Sequence, residues 1–231
     1  AGAPCQGFST SGKRNLDDPR SKLFIQIIKF LEVFRPKIFV MENVSGLLSM
    51  DKGNTMKTIM SEFGKSGYTV TYRILSAAEF GIPQMRNRVF IVGSSKPLHH
   101  ENFFPKPSSK KTVTVKEAIS DLDFLGFGDS INKYASKPQS LYQKKMRIGS
   151  KILHNHESAK HSKRIQKRFS LVPPGTDGRN VLTVSDTSKR DYYRLHPDRL
   201  SRTVTTLPED LIHYKKNRIP TVRELARIQS F

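Results

Sequence analysis

The sequence predicts an α/β fold: part of a doubly wound sheet with helices on its faces, then a smaller loop-rich region, then a short return to the first part. Three observations carry that reading. Leu23, Phe24, Ile27, Ile28 and Leu31 recur at the spacing of one helix face. Two apolar runs, residues 38–41 and 89–92, have the length of strands rather than helices. From Ser94 onward the composition turns to Lys, Ser, Pro and His, with weaker periodicity.

Taken in order, Asp17-Asp18-Pro19 supplies a helix cap with Pro in the first turn, and the helix that follows should stop before Pro36. The run Ile38-Phe39-Val40-Met41 reads as a buried parallel strand, which leaves Glu42-Asn43-Val44 at its C-terminal tip. Open α/β sheets collect ligands at that edge. A second helix is expected over 55–63, closed by Gly64 and Gly67, followed by strands over 68–75 and 89–92. Residues 114–122 give a short helix before a long irregular region with Pro173-Pro174-Gly175 and Asp177-Gly178 turns. A last helix starts at a Thr221 cap, with Val222, Leu225 and Ile228 on one face. The expected division is 1–95, 96–206 and 207–231.

Charge narrows the function. Forty Lys and Arg against 20 Asp and Glu give +20, a surplus that attracts a polyanion and releases its counterions. Nucleic acid is the expected partner, a solvated lysine-rich surface the plain alternative. A single cysteine rules out an internal disulfide and a Cys-rich zinc site, so the chain reads as intracellular with a free thiol. No run approaches the roughly 18 to 20 apolar residues of a membrane span. No secretory leader is visible, and both ends look cut.

The chemistry sits in three short segments. Pro4-Cys5-Gln6-Gly7-Phe8-Ser9 holds a thiol between a φ-locked Pro and a Gly-containing turn. Glu42-Asn43-Val44 ends a strand, and Gln84-Met85-Arg86-Asn87-Arg88 leads into another. If that second strand begins at the arginines, Gln84, Arg86 and Arg88 share one face. Together these segments resemble the cytosine-C5 DNA methyltransferase family. Three more agree in order: Ser76-Ala77-Ala78-Glu79-Phe80-Gly81-Ile82-Pro83, Val115-Lys116-Glu117-Ala118-Ile119-Ser120-Asp121-Leu122, and Arg223-Glu224-Leu225-Ala226-Arg227-Ile228-Gln229-Ser230-Phe231. The resemblance spans residues 1–231 and is loosest over 97–206, where the family carries its target-recognition domain.

The resemblance implies a partial Rossmann-like methyltransferase sheet, a smaller loop-rich recognition domain, and methyl transfer from S-adenosylmethionine to C5 of cytosine in double-stranded DNA, without a metal. Cytosine C5 is a poor nucleophile, so a thiolate first adds to C6. That thiolate is Cys5. Glu42 is then the acid at N3 and Arg88 the guanidinium at O2. Arg86 takes a phosphate or positions its neighbours, and the sequence does not separate its role from that of Arg88. Gln6, Ser9, Gln84 and Arg86 match positions that contact DNA. Pro4 and Leu23 match positions near the cofactor, although Leu23 fits the helix core equally well. The target base must be flipped out of the duplex, and Lys160, Lys163, Arg164, Lys167 and Arg168 suit a grip on the backbone. His154, His156 and His161 lack an acidic or Cys cluster and read as part of the same DNA-facing region.

The family opens with a Phe-x-Gly-x-Gly cofactor loop, and Ala1 follows no such loop, so the chain reads as an internal fragment that does not methylate DNA alone. The closing cofactor segment is also unmatched. The spacing between motifs is nearest to bacterial restriction-modification enzymes, implying a monomeric, cytoplasmic bacterial parent. Two alternatives stay open: a tRNA cytosine-C5 methyltransferase and a noncatalytic nucleic-acid-binding module.

Overall fold

A computed structural model of the chain describes residues 2, 24–96, 103–109, 111–180, 192–206 and 208–231. The chain divides into two compact units: residues 1–76 with 87–107, and residues 77–86 with 108–231.

The first unit holds helices α1 (Phe24–Phe34) and α2 (Asn54–Lys65) and strands β1 (Ile38–Val44), β2 (Thr69–Ser76) and β3 (Asn87–Ser94). Helix α1 ends before Pro36, as the missing N–H of proline requires. The strands form one sheet in the order β1-β3-β2, and β3 runs antiparallel to both neighbours. The ladder between β1 and β3 is thus antiparallel where residues 38–41 were expected to form a parallel strand. Burial along β1 alternates, with Phe39, Met41 and Asn43 inside while Ile38 and Val40 are half exposed. One covered face is the pattern of an antiparallel strand, whereas a strand of a parallel sheet is buried on both. The one parallel pairing of β1 among the described residues is a bridge from Gly2 to Glu42. Phe39, Met41, Val89 and Ile91 form the covered face and pack with Ile28 and Leu31 of α1 and with Met56, Ile59 and Phe63 of α2.

Phe39 organises that core. Its ring lies 4.7 Å from Phe63 and 5.2 Å, edge-on, from Tyr68, whose hydroxyl donates to the Pro36 carbonyl at 2.9 Å. Gly93, its partner across the ladder, leaves room for the ring, since a Cβ there would lie 2.1 Å from Phe39 Cε1.

The second unit holds helices α3 (Val115–Ile119), α4 (Leu141–Met146), α5 (Lys163–Leu171) and α6 (Val222–Ile228) and the short parallel pair β4 (Tyr193–Arg194) and β5 (Leu211–Ile212). Thr114 and Thr221 each accept from the backbone of the glutamate three residues on, and that glutamate reaches back to the threonine N–H. These reciprocal capping boxes start α3 and α6. Val115, Ala118 and Ile119 pack with Leu195, Leu211, Leu225 and Ile228, and a second cluster joins Phe169 and Val172 to Tyr192 and Ile212.

Two expectations are corrected here. Residues 141–146 and 163–171 are helical inside the region read as irregular, each started by a serine, Ser140 or Ser162, that accepts from a backbone N–H. Their sequences are rich in Lys, Arg and Gln, good helix formers that leave little apolar periodicity to read. On α6, Leu225 and Ile228 are buried as expected, but Val222 is 65% exposed and Glu224 and Arg227 are buried in its place. No helix among the described residues is long and apolar enough to cross a membrane.

Candidate active site

In the first unit the structure brings two predicted residues together. Strand β1 continues through Val44, so Glu42 lies within the strand rather than beyond it. The ladder pairs Glu42 with Phe90 and Val44 with Arg88, which makes Glu42 and Arg88 diagonal neighbours on one face. Arg88 Nε sits 3.0 Å from Glu42 Oε1, and Arg88 Nη1 donates to its neighbour's carbonyl, Asn87 O, at 2.9 Å. The pair is reachable, with the Glu42 side chain 39% and that of Arg88 19% exposed. A carboxyl and a guanidinium held this way can meet two adjacent acceptors on the edge of one planar ring. Asn43, on the covered face of β1, is buried; its Oδ1 accepts from Val44 N–H at 2.8 Å, while its Nδ2 has no hydrogen-bond partner.

Gln84 and Arg86 belong to the second unit. Strand β3 begins at Asn87, so the condition for Gln84, Arg86 and Arg88 to share a strand face is not met. Residues 82–86 form a tight turn in the second unit, closed by Gln84 N–H to Ile82 O at 2.8 Å and Arg86 N–H to Gln84 O at 3.0 Å. That turn is pinned by Met85 N–H to Ser201 O at 2.8 Å and by the Thr203 hydroxyl to Met85 O at 2.6 Å. The Gln84 side chain is 1% exposed and neither amide atom has a partner. Cys5, Pro4, Gln6, Ser9 and Leu23 lie outside the described residues.

The basic region is partly corrected. Lys160, Lys163, Arg164 and Lys167 are exposed, but Arg168 is buried. His156 is buried too, with Nδ1 at 3.0 Å from the Thr221 hydroxyl and Nε2 at 3.1 Å from Leu122 O, and burial lowers its pKa. His161 accepts from Ile219 N–H at 3.3 Å, and burial lowers its pKa as well. Both rings are occupied by this unit's own packing, not turned to a ligand. Among the described residues no group of three or more His, Cys, Asp or Glu side chains is placed to hold a metal ion.

Sequence reading missed a buried ionic network. Arg218 grips Glu224 with two bonds of 2.7 and 2.8 Å, and Arg227 reaches Asp121 at 3.3 Å. His213 Nε2 lies 3.3 Å from Asp123 Oδ1 and 3.6 Å from Glu224 Oε1, while its Nδ1 accepts from the backbone N–H groups of Lys215 and Lys216. Tyr214 donates to Asp123. Burial alone would raise the pKa of Glu224, but His213, Arg218 and the Thr221 N–H outweigh it and hold the carboxyl below its usual range. Asp123 is lowered for a similar reason: burial raises it, and His213, Tyr214 and Lys215 together overcome that. For Asp121 burial wins over Arg227 and Arg147, and its pKa is raised. The Thr-x-x-Glu spacing at 221–224 was the one signal in the sequence for this network.

The family model for C-5 cytosine-specific DNA methylase matches residues 1–231. The chain is 37% identical over 253 residues to the Type II methyltransferase M.DdeI of Desulfomicrobium norvegicum, covering 100% of the chain and 61% of that protein. It is 35% identical over 236 residues to the Type II methyltransferase M1.HphI of Haemophilus parahaemolyticus, covering 100% of the chain and 58% of that protein. The chain thus spans about three fifths of the length of these relatives. A crystal structure described as a DNA modification methyltransferase encoded within an E. coli prophage matches with a TM-score of 0.69 over 98% of the chain and 66% of that structure, at 22% identity, which is a likeness of fold. With the family model matched from the first residue to the last, the chain belongs to the C-5 cytosine-specific DNA methylase family.

Proposed function

We propose that the protein transfers a methyl group from S-adenosylmethionine to C5 of cytosine in double-stranded DNA at a specific sequence, through covalent attack of Cys5 on C6 of a flipped base. The observation that carries this reading is the Glu42–Arg88 pair, 3.0 Å apart and open to solvent on one sheet face. The thiolate of Cys5 adds to C6 and pushes electron density onto N3 and O2. Glu42, as the acid, donates to N3, and the Arg88 guanidinium stabilises the charge growing at O2. The ring is left as an enamine whose C5 is nucleophilic. S-adenosylmethionine supplies an electrophilic methyl group when bound; Pro4 and Leu23, assigned to it by resemblance, lie outside the described residues.

Arg86 is assigned to a phosphate or to positioning, and Gln6 and Ser9 to DNA contact beside the nucleophile. Gln84, being buried, suits a supporting role better than direct contact with DNA. Residues 96–206 are proposed as the target-recognition region, and the exposed Lys160, Lys163, Arg164 and Lys167 as part of its grip on the backbone. The bridge from Gly2 to Glu42 supports a parallel neighbour for β1, as a Rossmann-like sheet would have.

The test is labelled methyl transfer by the full-length protein to duplex DNA and, in parallel, to tRNA. Label is expected on cytosine C5 of the duplex and not on tRNA, and Glu42→Gln should lower the rate by about 10²–10⁴. Label on tRNA alone would move the substrate to RNA. Binding of DNA with no transfer to either would leave a noncatalytic module.

A further inference from the structure

The second unit holds a groove that the proposed chemistry does not use. A cavity of about 630 Å³ has Lys116, Lys215 and Lys216 in its walls, with Ser120, Ser136 and Gln139 among them. A second cavity of about 350 Å³ shares Lys116, Ser120 and Gln139 with the first and adds Lys111, Glu117 and Asp198. Asp123 is the one carboxylate lining the larger cavity, against three lysines. It is already engaged: His213 stands at its Oδ1, and Tyr214 and Lys215, the latter at 3.5 Å, at its Oδ2. Lys111 is likewise engaged, 3.4 Å from Glu117. No described carboxylate lies within ion-pairing distance of Lys116 or Lys216.

The lysine-bearing wall is held from behind. His213 is fully buried, stacks on Tyr214 at 4.7 Å between ring centres, and accepts the backbone N–H groups of Lys215 and Lys216 at 3.0 and 3.1 Å. The 213–216 turn is therefore fixed before any ligand arrives, which lowers the ordering cost of binding. Ammonium groups beside the Gln139 side-chain amide suit the oxygens of a phosphate, which a lysine can meet as a point charge from many directions, while the Ser136 hydroxyl already donates to Asp121 O at 2.8 Å. Two neighbouring cavities that share Lys116 suit successive phosphates of a chain better than a single compact anion.

We propose that this groove is a phosphate-ester site that takes the backbone of a bound oligonucleotide, with a phosphate held between Lys116 and Lys216. The occupant rests on the DNA reading given above. The test measures duplex DNA binding by fluorescence anisotropy across a salt series for the full-length protein. It compares the wild type, the Lys116→Gln/Lys216→Gln variant and a control, Lys29→Gln/Lys57→Gln, that removes two exposed charges from the first unit.

The groove variant should bind more weakly and show a slope of log affinity against log salt that is shallower by about 0.9 for each phosphate lost. Between 50 and 200 mM salt that is about threefold less affinity lost per phosphate. The control should keep the wild-type slope. A wild-type slope in the groove variant, or an equal change in the control, overturns the proposal. A second arm follows inorganic phosphate and a deoxymononucleotide by ³¹P NMR. Broadening by the wild type but not by the groove variant, with the DNA slope unchanged, would assign the site to a free phosphate ester and overturn the oligonucleotide. Methyl transfer that persists with no slope change would sink this proposal alone, whereas a wild type that neither binds nor methylates DNA would sink the reading it rests on. If thermal unfolding shows the double variant to be misfolded, the single Lys116→Gln change at an exposed position is read the same way.

Discussion

Arg194 is buried, and all five of its N–H groups are used: Nε donates to Val172 O at 2.6 Å, Nη1 to His213 O and Lys216 O at 2.9 and 3.1 Å, and Nη2 to Phe169 O and Asn217 Oδ1 at 2.5 and 2.8 Å. One side chain thus ties the end of α5 to β4 and the 213–217 turn. Arg194→Met fills the space but leaves those acceptors buried without a donor. It should destabilise the second unit by about 3–5 kcal/mol, read as a lower urea midpoint. The titratable residues give this unit a pH dependence with a definite sign. Burial depresses His156 below its ordinary 6.5, so its contribution is complete above pH 6.5 and declines as pH falls and the unfolded chain alone takes up the proton. Glu224 and Asp123 are depressed below 4.5 and 3.8, so their contribution is present above those values and is lost in acid. Asp121, raised by burial, acts in the opposite sense and favours folding below pH 3.8. The urea midpoint should therefore fall as pH drops below 6.5 and fall again below 4.5, and Glu224→Gln should flatten the second decline while lowering stability at pH 7. A midpoint that rises between pH 7 and 4 would contradict these assignments. At this scale the motif residues Glu42 and Arg88 were legible because their chemistry fixes their types. Arg194 and Arg218 were not, because their acceptors are gathered from residues 169–224 by folding alone.

Among the elements, the β1–β3 ladder decides the site, since its register sets Glu42 diagonal to Arg88. That register depends on Phe39 lying over Gly93. Gly93→Ala should force the Phe39 ring from its place between Phe63 and Tyr68 and cost about 1–3 kcal/mol of stability, measured by urea unfolding. A change of less than half a kcal/mol would show that the ring moves freely. The sequence announced most of this unit: the helix before Pro36, the helix over 55–63 and the two strands that enclose 77–86 all lie within a few residues of their places. It did not announce the antiparallel pairing, because a four-residue apolar run looks alike in either direction, and only the exposure of Ile38 and Val40 separates the two cases. In the second unit α4 and α5 were hidden by their polar composition, although Ser140 and Ser162 stood at their starts. The helical face read for α6 was displaced because its buried charges, Glu224 and Arg227, find partners outside the helix.

For the molecule as a whole, the charge of +20 and the order of the motifs are properties of the entire chain, and both were visible in the sequence. The basic residues divide into two uses. Some of the forty basic residues are exposed, such as Lys160, Lys163, Arg164 and Lys167, whereas Arg194, Arg218 and Arg227 are buried inside the second unit, the last two against Glu224 and Asp121. A count of basic residues therefore overstates what is offered to DNA. Family membership covers residues 1–231 and about three fifths of the relatives' length, so activity belongs to the full-length protein as a proposal. Its central claim is that Cys5 attacks a cytosine whose N3 and O2 are met by Glu42 and Arg88. The most direct measurement incubates the full-length protein with S-adenosylmethionine and duplex DNA carrying 5-fluorocytosine at the target position, then maps the covalent adduct by peptide mass spectrometry. Fluorine at C5 blocks the proton loss that would release the enzyme, so the adduct should accumulate on the peptide containing Cys5 and vanish in Cys5→Ser. An adduct on any other residue, or methylation that survives Cys5→Ser, would contradict the account.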